Sequence, residues 1–215
     1  MKVLSVNSLW FVCSITLNAL GNSFMIIANL GSAPWASAGE NLAYILPLSV
    51  GVCIIMLNLF SFVLSYLMKV KFTLGIIIKS IALAFVFGIL IDLFLYIQHQ
   101  VYVPGEIGVR LLYLFIGLNL IAIALSIYFQ SGSIHLPADY LLKAFGKLMK
   151  NYTLGNIVCT AIPLTISLLI ILYRHHVLGL GLGTFLFMIG IGLLIDQYNR
   201  WIVISNNSKK EMHSA

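Results

Sequence analysis

Charged side chains are scarce in this sequence. Only 8% of its 215 residues are charged, whereas about a quarter of a soluble domain is. So few charges cannot cover a surface that faces water, and the 61% hydrophobic content predicts that most of the chain contacts lipid. At roughly 20 residues per spanning helix, the 215 residues allow six or seven spans and leave no room for a separate soluble domain.

Cysteines and acidic residues are also few, with 3 Cys and 6 Asp or Glu. Cys13, Cys53 and Cys159 lie in apolar stretches without metal-ligand spacing, so we expect them to pack as apolar residues. The 12 Lys and Arg do not cluster with aromatics as on a nucleic-acid surface. There is no paired nucleophile and base and no ATP-binding motif. We therefore expect no enzyme activity, no cofactor, no metal and no nucleic-acid partner.

The apolar residues form six helix-length runs, which predict six membrane spans. They cover about residues 9–30, 48–68, 72–96, 109–129, 154–173 and 178–203. A polar loop is expected at 97–109. Because the number of spans is even, both chain ends are expected on the same side of the membrane.

Two interruptions, residues 31–45 and 131–150, predict short helices that are too short to span. Pro34 and Pro137 suit the first turn of a helix, and Ser32 is a candidate cap for the first helix. Asp139 falls in the first turn of the second helix, where the helix dipole favours a carboxylate. Four apolar residues of that helix fall on one side and three lysines on the other, which predicts an amphipathic helix at an anionic membrane surface. These are Leu141, Leu142, Phe145 and Leu148, and Lys143, Lys147 and Lys150.

Basic residues divide unequally between the two predicted sides, which sets the orientation. Arg110 and Arg174 fall on one side, and Lys79 lies inside the third span. The nine others fall on the side of the chain ends: Lys2, Lys69, Lys71, Lys143, Lys147, Lys150, Arg200, Lys209 and Lys210. We therefore expect a multi-pass plasma-membrane protein whose N- and C-termini are cytoplasmic.

The two halves of the chain repeat. Matches occur in order at an offset of about 101 to 104 residues, which predicts two three-span units of opposite orientation, residues 1–104 and 105–205, and a polar cytoplasmic tail, 206–215. The fold is therefore expected to be all-α, six spans in two inverted repeats, each with a short extra helix, a pattern typical of transporters. The matched pairs include Asn18/Asn119, Asn29/Gln130, Pro34/Pro137, Ser49/Thr153, Gly51/Gly155, Gly88/Gly192 and Asp92/Asp196.

Asp92 and Asp196 are the first candidates for function, because a carboxylate in an apolar span is costly. Each could be solvated near the end of its span, or could cap a neighbouring helix. Alternatively, both face the interface between the repeats, pair with Lys79 or an Asn, and line a solute or ion path. Gly88 and Gly192, one turn earlier, would let another backbone approach each carboxylate.

The other candidates are weaker. Lys79 could extend to the membrane surface or contact a substrate or carboxylate. The amides Asn18, Asn119, Asn29 and Gln130 either form interhelical hydrogen bonds or line a shared site. Glu40, His135 and Asp139 either gate the two mouths or are solvated. Gly179 and Gly183 are spaced for close helix packing.

The sequence Ala28-Asn29-Leu30-Gly31-Ser32-Ala33-Pro34-Trp35 resembles a motif of the small bacterial YitT/YczE-type membrane proteins. The resemblance covers most of the chain and implies an integral plasma-membrane protein. An acidic residue often follows the Trp in that family, whereas this chain has Ala36.

Two functions are compatible with these patterns. The first is a secondary transporter or permease for a small polar solute, with its site where the repeats meet. The second is a membrane adaptor or regulator that does not transport and docks a partner through its cationic helix. The partners expected are the lipid bilayer, a small solute, and either a second copy of the chain or a membrane partner protein.

Overall fold

A computed structural model describes residues 6–131 and 134–204, with the side chains of Val6, Tyr152 and Thr153 excepted. The chain over these residues is all-helical. The eight helices are α1 (Val6–Ala28), α2 (Pro34–Ile45), α3 (Val50–Leu67), α4 (Leu74–Val101), α5 (Ile107–Ser131), α6 (Pro137–Met149), α7 (Tyr152–Arg174) and α8 (Leu182–Trp201). The predicted tail, 206–215, lies outside the described residues.

Six of the described helices are long and apolar enough to cross a membrane, as predicted. They are α1, α3, α4, α5, α7 and α8, and the protein is a multi-pass membrane protein. The short helices α2 and α6 follow α1 and α5, and each begins at the expected proline. We call the end of the bundle that carries α2 the α2 side and the opposite end the α6 side.

Two predicted boundaries were wrong. α4 extends to Val101, so the polar loop begins only at residue 102. The extra turn is helical because Gln98 is buried there and donates to Ser23 Oγ of α1 at 2.6 Å. α8 begins at Leu182 rather than at residue 178, because residues 178–181 pair with the α1–α2 loop instead.

The centre of the bundle is the contact between α1 and α5. Gly21 and Gly117 meet there backbone to backbone: a Cβ on Gly21 would lie 2.8 Å from the Gly117 carbonyl oxygen, and a Cβ on Gly117 would lie 2.7 Å from that of Gly21. Met25, Leu118 and Ile121 fill the space beside this crossing and are almost fully buried. α1 and α5 are therefore locked together at close range.

The remaining contacts follow a pattern that is the same in both halves. α4 packs on α1 as α8 packs on α5. α2 lies between α3 and α7, and α6 lies between α7 and α3. One contact breaks the pattern among the described helices: α3 packs on α4, whereas α7 and α8 do not pack on each other in this way. The pattern is what an inverted repeat would produce, and the division at residue 104 stays a prediction.

Candidate functional site

A cluster of polar side chains surrounds Glu40 where α2 meets α7 and the α7–α8 loop. We call it the Glu40 cluster. All of its members are buried away from water although their side chains are polar. They are Ser32, Ser37, Glu40, Asn41, Ser167 and Thr184.

The Glu40 carboxyl group accepts a short hydrogen bond from the Ser32 hydroxyl. The sequence predicted Ser32 as a helix cap, and that prediction was wrong. The N-cap is Ala33 and makes no side-chain bond. Pro34 at the first helical position has no N–H that needs a cap, so the Ser32 hydroxyl is free to bind Glu40.

The α7–α8 loop covers Glu40. Asn41 Nδ2 donates to the Leu178 carbonyl at 2.7 Å, and the Ser32 N–H donates to the Gly179 carbonyl at 2.9 Å. Gly179 has φ of 66°, and a Cβ there would lie 3.0 Å from Glu40 Oε1. Only glycine combines this backbone conformation with so close an approach. The predicted helix packing by Gly179 and Gly183 is thus replaced by contact between loops, since Gly179 precedes α8.

Burial raises the pKa of Glu40 to about 8, although the hydrogen bond from Ser32 lowers it. No described cation forms an ion pair with it, so the Ser32 hydrogen bond only partly offsets the loss of water around a carboxylate. Glu40 is therefore protonated at neutral pH and lies within reach of deprotonation. A group of this kind can take up and release a proton.

A second cluster lies at the start of α6, around Asp139. The Tyr128 hydroxyl donates to Asp139 Oδ2 at 2.8 Å and accepts from the Leu136 N–H at 2.7 Å. The same N–H is 3.2 Å from Asp139 Oδ2, so Asp139 caps the start of its own helix. Burial raises the pKa of Asp139 to about 6, while its hydrogen bonds and Lys143 lower it. The prediction that Asp139 lies in the first turn after Pro137 is confirmed.

His135 lies beside this cluster among aromatic rings. Its ring is 5.6 Å from that of Tyr128 and 5.8 Å from that of Tyr140. Its Nδ1 is buried and has no described hydrogen-bond partner. Burial and the nearby Lys143 lower the pKa of His135 to about 4, so it is neutral at physiological pH. Its backbone carbonyl accepts from Ser80 of α4 at 2.7 Å.

Asp92 joins α4 to the start of α3. Its Oδ1 accepts from the Gly51 N–H at 2.7 Å, and its Oδ2 accepts from the Ser49 hydroxyl at 2.5 Å. Gly88 lies against the same turn, and a Cβ there would be 2.7 Å from the Gly51 carbonyl oxygen. We call this contact of Ser49, Gly51, Gly88 and Asp92 the α3–α4 latch. This is the geometry of the alternative in which Asp92 caps a neighbouring helix. Gly88 lets the backbone of α3 come close to the carboxylate, as expected.

Three matching residues of the second half, Gly155, Gly192 and Asp196, do not meet. Asp196 is exposed and has no hydrogen bond or ion pair within the described chain. Gly192 has open space around its Cα. The Gly155 N–H bonds the Asn151 carbonyl at 3.0 Å, because α7 begins two residues earlier than α3 does in the matching register. The same residues therefore form a latch in one half and lie apart in the other.

The two span asparagines make mostly local bonds. Asn18 is buried and accepts from Asn22 Nδ2 at 2.9 Å within α1. Asn119 Nδ2 donates to the Phe115 carbonyl, and Asn119 Oδ1 accepts from the Tyr198 hydroxyl of α8 at 2.8 Å. The structure does not bring Asn18 and Asn119 into a hydrogen bond with each other.

At the ends of α1 and α5, the Asn29 backbone carbonyl and the Gln130 side chain each bind a neighbouring segment. Asn29 has φ of 49°, and Arg110 donates to its carbonyl and, at 2.7 Å, to that of Ala28. Gln130 donates to the Ile202 carbonyl at 2.9 Å and accepts from the Ile204 N–H at 3.2 Å, which holds the end of α8. Both positions fix a helix end to the neighbouring long helix.

Two further predicted residues lie apart from these clusters. Lys79 is exposed and pairs with no described carboxylate, which agrees with an extension toward the membrane surface. Trp35 is half-buried beside the fully buried Pro34 at the start of α2. Whether Asp92, Asp196, Lys79 and the amides line a path stays a prediction.

A match to a family model covers most of the chain. The model describes a family of unknown function, DUF6198, and it matches residues 6–200. The chain belongs to the DUF6198 family. No curated protein and no solved structure matches the chain. Nothing in these comparisons links it to the YitT/YczE-type proteins in particular, so that resemblance stays an expectation.

The DUF6198 match spans both carboxylate clusters and both halves of the latch pattern. The sequence did not single out the Glu40 cluster, although a signal was present. Glu40 and Asn41 follow Ser37 by three and four residues, so both lie near its face of a short helix. A polar face on a helix that has little water available needs polar partners, and the α7–α8 loop supplies them.

Proposed function

We propose that this DUF6198 protein is a secondary transporter for a small polar solute. The observation that carries the proposal is the latch, which is closed between α3 and α4 and open between α7 and α8. Two inverted units that alternate between two packings would expose a shared site first to one side of the membrane and then to the other.

In this mechanism a second latch, between α7 and α8, closes as the α3–α4 latch opens. Asp196 would then accept a hydrogen bond from the Gly155 N–H, as Asp92 accepts one from the Gly51 N–H. The Gly155 N–H is bound to Asn151 in the present structure. Closure therefore requires the first turn of α7 to unwind by about two residues, which moves its N-terminus to the register of α3.

Glu40 and Asp139 are the groups proposed to couple transport to a proton gradient. Each is held by a hydroxyl group rather than by a cation, and burial raises the pKa of both. Each also belongs to a short helix that packs across the two halves, α2 on α7 and α6 on α3. A change of charge there would alter the contacts that movement of the units must break.

Uptake by proteoliposomes tests the proposal. Wild-type protein is reconstituted with an inward proton gradient and challenged with a panel of labelled small polar solutes. We expect uptake of at least one solute, reduced about tenfold or more by Glu40→Gln and by Asp196→Asn, which weakens the second latch. Glu106→Gln is the control, since Glu106 lies in an exposed loop. Normal uptake by both variants would contradict the assigned mechanism.

The adaptor function remains the second candidate, and the tight crossing of Gly21 and Gly117 favours it, because that crossing leaves no path between α1 and α5. The expected orientation places the lysine-bearing face of α6 in the cytoplasm, where a partner could reach it. Absence of uptake across the panel, together with co-purification of a membrane partner that is lost in Lys143→Gln/Lys147→Gln, would support the adaptor. Labelling of single cysteines introduced at Lys71 and Glu106 tests the orientation.

A further inference from the structure

A cleft of about 820 Å³ opens on the α6 side, between α6 and the loop that joins α3 to α4. Four lysines line it: Lys69 and Lys71 from the loop, and Lys143 and Lys147 from α6. Its remaining walls are largely apolar and include Met68, Val70 and Leu148. We call it the lysine cleft.

The two walls are held in place by packing. Lys143 and Lys147 are four residues apart, so they share one face of α6. Lys69 has φ of 63°, which turns the chain sharply after α3 ends at Leu67. The ring of Phe72 lies 5.4 Å from that of Tyr140 and so ties the loop to α6. The Phe72–Tyr140 contact therefore fixes the position of the loop beside α6.

Within the described part of the chain, no ion pair balances the charge in the cleft. All four lysines are exposed, and none forms an ion pair with a described residue. No acidic residue of 6–131 or 134–204 lines the cleft. Asp139, one turn before Lys143, is turned to Tyr128 and the Leu136 N–H instead. An anion is the missing partner for this surface.

We propose that the lysine cleft binds the headgroup of an anionic phospholipid, with its phosphate among the lysines. The cleft lies where α3 ends and α4 begins, which is the depth of the headgroups for helices of spanning length. A free phosphate would leave the apolar walls facing water, whereas a lipid places its upper chain carbons against Met68, Val70 and Leu148. This site is independent of the proposed transport function.

Native mass spectrometry of the detergent-solubilised protein, titrated with phosphatidylglycerol or phosphatidylcholine, tests the proposal. We expect preferential retention of phosphatidylglycerol, and a loss of affinity of about ten- to thirtyfold in Lys143→Gln/Lys147→Gln. Lys69→Gln/Lys71→Gln, on the other wall, should lose affinity similarly and serves as the second variant if the first does not fold. Lys79→Gln/Arg200→Gln removes two exposed charges outside the cleft and should retain wild-type affinity.

Three results would overturn the proposal. Equal loss of affinity in the Lys79→Gln/Arg200→Gln control would mean that net charge alone attracts the lipid. Full competition by inorganic phosphate at the lipid concentration would assign the cleft to a soluble anion. Binding of a poly-glutamate peptide without any preference for phosphatidylglycerol would assign it to an acidic protein partner.

Discussion

The Gly51 N–H donates to Asp92 Oδ1 across 2.7 Å, and this bond joins the first turn of α3 to the middle of α4. It places a carboxylate at the positive end of a helix dipole, where negative charge is favoured. The Ser49 hydroxyl donates to the other oxygen of the same carboxylate. Each oxygen of Asp92 thus accepts a hydrogen bond, and no described cation pairs with it.

Removal of this carboxylate is expected to weaken the contact between α3 and α4. Asp92→Ala should lower the free energy of unfolding by about 1 to 2 kcal/mol, the cost of losing a helix cap. Asp196→Ala is the matched control, because Asp196 is exposed and makes no bond with a described residue. Thermal denaturation midpoints in one detergent measure both, and an equal shift in the two variants would contradict the latch.

Glu40 should make stability depend on pH. Because its pKa is raised from 4.5 to about 8, the folded state binds more protons than the unfolded state between these values. Stability is then fully present below about pH 4.5 and falls as the pH rises toward 8. Glu40→Gln keeps an acceptor for Ser32 and should remove this slope, whereas Glu106→Gln should retain it.

Thermal midpoints measured from pH 5 to pH 8 test this. Asp139, at the other side of the bundle, also changes charge in this range, and His175 and His176 lie at the end of α7. Arg174 lies at the same end of α7, with its guanidinium 5.3 Å from the centre of the Tyr44 ring. Because all of these are common to the three proteins, the difference between wild type and Glu40→Gln isolates Glu40. Parallel curves for those two proteins would rule out a buried, protonated Glu40.

The Tyr128 hydroxyl is expected to hold the start of α6. Tyr128→Phe removes the donor to Asp139 and leaves the Leu136 N–H with the longer bond to Asp139 alone. We expect a loss of about 1 to 3 kcal/mol in the free energy of unfolding. Tyr113→Phe is the matched control, since the Tyr113 hydroxyl makes no hydrogen bond with a described residue. Chemical denaturation measures both, and a Tyr128→Phe variant as stable as this control would contradict the role.

A disulfide between α2 and α7 should block the proposed transport and leave the protein folded. The hydroxyls of Ser37 and Ser167 lie 3.2 Å apart, so cysteines at both positions are placed to form a disulfide. With Cys13, Cys53 and Cys159 replaced by alanine or serine, oxidation should raise the thermal midpoint and stop uptake, and reduction should restore uptake. Each single cysteine variant is the control. Undiminished uptake by the fully oxidised protein would show that α2 and α7 need not separate.

The sequence predicted the helices well, because span length, hydropathy and the two prolines each act locally. It also predicted which residues recur in the two halves, since Ser49, Gly51, Gly88 and Asp92 all have counterparts 104 residues later. It did not predict that these four form one contact. That contact depends on the position of α3 along the axis of α4, which the sequence of neither helix specifies alone.

The sequence did not decide the partner of Asp92: a lysine, an asparagine and a helix end were all alternatives. The burial of Glu40 could not be predicted from the sequence either, because the residues that cover it lie about 140 positions further along the chain. A carboxylate in an interruption between spans resembles a solvated loop residue until its cover is known. Contacts between distant segments decide both cases.

The crossing of Gly21 over Gly117 limits what can move in this molecule. Each backbone fills the space that a side chain would need on the other, so neither helix can slide lengthwise without driving a bulkier neighbour such as Met25 into the gap. In the proposed transport cycle, α1 and α5 are therefore the fixed part of the molecule, and the movement falls to the outer helices around them.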